Sequence, residues 1–205
     1  MAFLGIRVTH EVGRLLSSIE VPGKRVAASD MHITLLGFAD NWPISELVNA
    51  LKAAYDVVST SKPFLVKTQR ISCFTSKANQ SAAIVARIES LELHKIHDKL
   101  AESFDKEKID FCKDFKDYNP HISLSYNDKA IEEFEFEEVE FSVPELVLWG
   151  GDHGDDRVFI TFPLQGPKKQ KCSIVAQQAD ICEKLANNPP QNHLTASYER
   201  RKEER

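Results

Sequence analysis

Met31-His32-Ile33-Thr34-Leu35-Leu36-Gly37-Phe38 is an apolar run broken by two polar residues two positions apart. Strand side chains alternate between faces, so His32 and Thr34 share one face while Ile33 and Leu35 share the other. The run therefore predicts a buried strand that presents an imidazole beside a hydroxyl. Asn119-Pro120-His121-Ile122-Ser123-Leu124-Ser125-Tyr126 repeats the device, its histidine 89 residues further on. A lone His-x-Thr arises easily by chance, as at His193-Leu194-Thr195, which has no apolar strand around it. Two copies, each inside a β-like run, are much harder to obtain by accident.

Two such strands facing one cleft supply what phosphodiester cleavage needs. A neutral histidine takes a proton from water or a ribose hydroxyl, and a protonated one donates to the departing oxygen. The hydroxyls of Thr34 and Ser123 are suited to nonbridging phosphate oxygens, whose hydrogen bonds strengthen in the five-coordinate transition state. Acid and base are then both present without a metal.

The flanking chain predicts an α+β protein in which helices cover antiparallel sheets. Residues 3–9 read as a strand, and a short helix is expected before Pro22-Gly23. After Asn41-Trp42-Pro43, the residues Ile44, Leu47, Val48, Leu51, Tyr55 and Val58 recur at helical spacing, with Pro43 suited to the first turn. Residues 64–74 and 81–88 read as a hairpin around Lys77-Ala78-Asn79-Gln80. Ser90 offers a cap to a second helix with Leu93, Ile96, Leu100 and Phe104 inward. Two β-rich runs, 134–149 and 157–163, close the body. The Glu-rich run 132–140, alternating with Phe134, Phe136 and Val139, reads as an edge strand with a charged outer face. A body at 1–165 and a C-terminal extension at 166–205 are expected, the latter partly helical over 172–187 or disordered.

Composition narrows the function. The chain has 205 residues, 42% hydrophobic and 28% charged, and no apolar run approaches the roughly 20 residues that span a bilayer. No membrane segment is expected, and Met1 to Val8 reads as a strand rather than a signal peptide. Cys73, Cys112, Cys172 and Cys182 show no metal or redox spacing, which fits reduced thiols and a cytoplasmic location. Of 26 basic and 31 acidic side chains, 8 and 5 lie from residue 165 onward, leaving 18 and 26 in the body, a net of −8. Long nucleic acid is held largely by phosphate neutralisation, so an acidic body favours a small nucleotide or short oligonucleotide.

On Met31-His32-Ile33-Thr34-Leu35 and Pro120-His121-Ile122-Ser123-Leu124, the chain resembles the 2H phosphoesterase superfamily, which includes bacterial 2'-5' RNA ligase-like proteins and cyclic phosphodiesterases. The resemblance covers residues 1–164 in element order. It implies a two-lobed fold with antiparallel sheets and outer helices around a central cleft. By motif match, His32, Thr34, His121 and Ser123 take the catalytic and phosphate-holding roles, with no cofactor. Phage proteins that destroy cyclic nucleotide signals of bacterial immunity belong to this superfamily, so such a signal stands among the expected substrates. RNA-end processing or 2'-5' ligation with the same four residues is the alternative, and a catalytically silent nucleotide-binding module the other.

Further candidates are peripheral. Trp149, before the glycine- and acid-rich loop that ends at Asp156, is a candidate to stack on a base, as are Tyr118 and Tyr126. Asp152, His153, Asp155 and Asp156 lack a recognised ligand spacing, so no metal site is expected. His94 and His97 are expected at the surface or half-buried, and Lys24, Arg25 and Arg157 are basic residues near enough in sequence to reach a phosphate.

Overall fold

The computed structural model describes residues 2–38, 44–76, 81–113, 117–150 and 158–166, all within the compact unit Met1–Lys168. In chain order the elements are β1 (Phe3–Arg7), α1 (His10–Ser18), β2 (Lys24–Arg25), a 3-10 turn (Ala28–Asp30), β3 (His32–Gly37), α2 (Ile44–Val58), β4 (Phe64–Ser76) and β5 (Ser81–Glu89). They continue as α3 (Leu91–Lys106), β6 (His121–Asn127), β7 (Phe134–Glu135), β8 (Glu140–Val143), β9 (Glu145–Gly150) and β10 (Val158–Pro163). The result is an α+β fold with two antiparallel sheets, ordered β10-β9-β1-β3 and β2-β6-β5-β4-β7, with β8 also paired to β4.

Local chemistry accounts for these elements. Ser90 caps α3 by accepting from Leu93 N at 3.3 Å, and the expected stripe Leu93, Ile96, Leu100 and Phe104 is buried. Thr9 caps α1 by accepting from Val12 N. Gly23, at φ +94, makes the turn that lays β2 along the end of β6, a conformation open to glycine at no steric cost.

One hydrophobic cluster joins both sheets and the helices. Ile33 and Leu35 of β3, Ile122 and Leu124 of β6, and Ile84, Ala86 and Ile88 of β5 all belong to it. Burying each such large side chain contributes about 1.5–3 kcal/mol, which fixes which face of each strand looks inward. Val85, Val147 and Trp149 are buried without belonging to that cluster, because they sit on the opposite faces.

Residues 134–149 divide into three strands, and only Phe134–Glu135 and Glu140 onward of the expected Glu-rich edge strand pair. Carboxylates of the unpaired positions reach back to β4 instead, Glu138 to Lys67 at 2.8 Å and Glu133 to Arg70 at 3.0 Å. Among the described residues no helix is long and apolar enough to cross a membrane, and Cys73 is a free thiol. The predicted loop 77–80, Pro43 and the expected helix at 172–187 lie outside the described residues.

Candidate functional site

β3 is the edge of its sheet, and β6 is covered on its outer side only by the two-residue β2. The two histidine strands approach each other within 8 Å between Cα atoms. A hydrogen bond links their surroundings: Tyr118 Oη donates to the Thr34 carbonyl at 3.1 Å.

Each histidine opens its strand and is held the same way. His32 Nδ1 lies 2.7 Å from the Asp30 carbonyl, and His121 Nδ1 lies 2.8 Å from the Asn119 carbonyl, in both cases two residues back. A carbonyl oxygen only accepts, so Nδ1 carries the proton and donates. In the neutral ring Nε2 is then the unprotonated nitrogen, and neither Nε2 has a partner among the described residues. Thr34 and Ser123, two residues on, fall on the same strand faces as the imidazoles.

Burial holds both imidazoles below the usual histidine range, since the charged form loses water. The carbonyl bonds oppose this at both rings, as does the charge of Asp30 at His32. At His121 the charges of Arg87 and His32 depress proton affinity further, which places the imidazoles within electrostatic reach of each other.

Register explains the neighbours. On β1, Arg7 stands opposite His32, and Phe3, four residues back, shares the face of Arg7 by strand alternation, while the register shift at Leu4/Gly5 skips Leu35 of β3. Phe3 stacks on His32 at 4.3 Å and 20°, with Trp149 tilted beside both rings. Gly5 permits the close approach: a Cβ there would stand 2.5 Å from the Ile33 carbonyl oxygen. On β5, Arg87 stands opposite His121. Its guanidinium lies 4.8 Å from the Phe74 ring centre, and that ring meets His121 edge-on at 4.8 Å.

The residues singled out from sequence separate into groups. β3, which carries His32 and Thr34, approaches β6, which carries His121 and Ser123, and the two imidazoles lie within electrostatic reach of each other. Tyr126 is 54% exposed and, through its register with Ala83, shares the face of Ser123 and His121. Trp149 is only 7% exposed and supports His32 from the side, so it offers a base little area. Tyr118 differs from its expected stacking role. Its ring is stacked on His97 at 4.1 Å and meets His94 edge-on, its hydroxyl serves Thr34, and burial raises its pKa.

Arg25 also differs, since its guanidinium donates to the carbonyls of Ile19 and Ser17 where α1 ends, at 2.7 and 2.9 Å, rather than facing the histidines. Lys24, exposed and opposite Tyr126, shares the face of Tyr126. Arg157, Asp152, His153, Asp155 and Asp156 lie outside the described residues, and among the described residues no cluster suits a metal. Arg87 and Phe74 are not among the sequence candidates. The available signal for Arg87 was one arginine inside the otherwise apolar run 82–88.

Comparison with known proteins agrees with this geometry. A protein of Thermus thermophilus, TT0787, superposes with a TM-score of 0.67 at 19% identity, over 82% of this chain and all of that one. E. coli LigT in its apo form gives 0.53 at 17% identity over 80% of this chain and 94% of that one. LigT with 3'-AMP gives 0.53 at 16% over the same shares. At these identities the likeness is one of fold. A sequence comparison with curated proteins finds no match. The model of the 2'-5' RNA ligase superfamily matches residues 17–155, more than half of the chain and including both histidine elements. The chain therefore belongs to the 2'-5' RNA ligase superfamily, among the 2H phosphoesterases.

Proposed function

We propose that this protein cleaves a phosphodiester in a small nucleotide, with His32 and His121 as acid and base and with Thr34 and Ser123 holding the phosphate. The observation that carries the reading is the shared tautomer. Each ring donates from Nδ1 to the carbonyl two residues back, leaving Nε2 of each for proton transfer.

The roles divide by charge. His121, opposite the Arg87 cation, favours the neutral form and is the base; it takes the proton of water or of a ribose hydroxyl as that oxygen attacks phosphorus. His32, with Asp30 raising its proton affinity, is the acid and protonates the leaving oxygen. The Thr34 and Ser123 hydroxyls donate to nonbridging oxygens, with their largest effect in the transition state. Because protein groups fill both proton-transfer roles, turnover needs no metal.

The substrate class follows from the acidic body and from Tyr126, exposed on the face of His121 and Ser123 with Lys24 opposite. An aromatic face stacks a base for about 1–3 kcal/mol, and the lysine meets a further phosphate. LigT structures with 3'-AMP and ATP show a protein of this fold taking small nucleotides. We place 2',3'-cyclic phosphates, 2'-5'-linked dimers and cyclic oligonucleotide immune signals in the candidate set, and the protein in the cytoplasm. The decisive experiment incubates the protein in EDTA with that panel and analyses products. Turnover of at least one member is expected; none, or complete loss with chelator, sinks the proposal. The family match favours a second reading, RNA-end processing or 2'-5' ligation. It predicts turnover of tRNA fragments with strongly salt-dependent binding.

A further inference from the structure

Arg87 has no role in the chemistry above beyond its charge, and its side chain is incompletely satisfied. A guanidinium has five N–H donors and no acceptor. Nη2 donates to Asn119 Oδ1 at a long 3.3 Å, while Nη1 is buried with no hydrogen-bond partner among the described residues. No carboxylate among the described residues pairs with this guanidinium, although Lys67 and Arg70 on the neighbouring strand both have acids at hand. A buried donor without a partner costs about 1–3 kcal/mol, and a charged one more, so such groups persist where something else satisfies them.

The surroundings say what that is. Arg87 stands directly across the β5–β6 pair from His121 on the face that carries Ser123, and Phe74 packs against both the guanidinium and the imidazole. The aromatic ring and the Asn119 contact hold the fork beside the ring whose Nε2 is left for proton transfer. A cation placed there for structure alone would be a liability, because it repels the protonated form of its neighbour.

We infer that Arg87 is a phosphate-binding residue, its guanidinium turning to donate to a nonbridging oxygen of the phosphate that lies between the two histidines, on the His121 side. This rests on the phosphodiester reading for the identity of the ligand, but the anion site is testable without turnover. Arginine suits the position because its planar fork offers one N–H to Asn119 and another to the phosphate.

The test is titration of the full-length protein with inorganic phosphate by calorimetry, alongside R87Q and R87K, with the low-field Nδ1–H proton resonance of His121 as a check on local structure. Charge-assisted hydrogen bonds are the strong ones, so R87Q is expected to weaken phosphate binding about tenfold or more, and R87K less. The His121 resonance is expected to persist in both. Where a nucleotide substrate is known, KM rises and kcat falls together in R87Q.

Phosphate affinity within about twofold of the parent in folded R87Q, or no saturable binding to the parent, overturns the proposal. Should R87Q not fold, R87K decides alone: an affinity equal to the parent's overturns the assignment, and a several-fold loss supports it. Arg87-dependent phosphate binding without turnover of any diester would sink the catalytic reading and leave this one standing.

Discussion

Two aromatic rings flank the imidazole of His32, whereas the imidazole of His121 shares its one aromatic neighbour with a guanidinium. At His32 the ring lies under Phe3 with Trp149 beside it, Arg7 stands opposite on β1, and the carboxylate of Asp30 raises its proton affinity. At His121 one aromatic ring meets the imidazole edge-on, and a guanidinium stands across the strand pair. The backbone device is the same in both, a carbonyl two residues back accepting from Nδ1. Identical local geometry fixes which nitrogen works. On the proposed roles, the differing neighbours decide in which direction the proton moves.

The largest expected effect tests that division directly. H32A and H121A are each predicted to lower kcat by about 10²–10⁴ on an ordinary diester, measured with a nucleotide substrate. On a nucleoside diester with a p-nitrophenyl leaving group, which departs without protonation, H32A should recover most of its activity while H121A should not. Equal recovery of the two would erase the assigned difference.

Next come the hydroxyls. T34A and S123A should each cost about 10²-fold in kcat with little change in stability, as removal of one transition-state donor does, whereas T34S and S123T should stay close to the parent. Steady-state kinetics alongside thermal melts separate these outcomes.

Both imidazoles sit below the ordinary histidine value of 6.5, burial being the main cause, so kcat/KM should peak on the acid side of that value. The sign for stability is also fixed. A folded-state pKa below the unfolded one contributes stability that is complete above about pH 6.5 and lost as pH falls through the lowered value. Melting temperature should therefore drop as pH falls from about 7.5 to about 5.5, and less in an H32N/H121N double variant. The smallest effect belongs to Y118F, which removes the bond to the Thr34 carbonyl. A loss of about 1 kcal/mol in urea denaturation with a few-fold loss in kcat is expected.

What could be read from sequence was what repeats at short range. Alternation along His32-Ile33-Thr34 and His121-Ile122-Ser123, the Ser90 cap and the stripe of α3 each depend on residues within one turn or one pleat. Phe3, Phe74 and Arg87 reach the imidazoles only through cross-strand register. Bulges at Leu4/Gly5 and Ile84/Val85 adjust that register in ways no local pattern announces. Tyr118 looked like a platform for a base because its partners His94 and His97 come from a helix more than 20 positions away.

The matched tautomers have a consequence for the cycle as a whole. On the proposed roles, once the base has accepted a proton and the acid has released one, the enzyme that leaves the reaction is the mirror of the one that entered, with His121 charged and His32 neutral. Hydrolysis by water must then reset the pair through solvent before the next round. A two-stage reaction would need no reset: a ribose hydroxyl first closes a cyclic phosphate, and water then opens it with the two rings exchanging tasks. A lag between rounds that shortens with added proton-carrying buffer would mark the first regime.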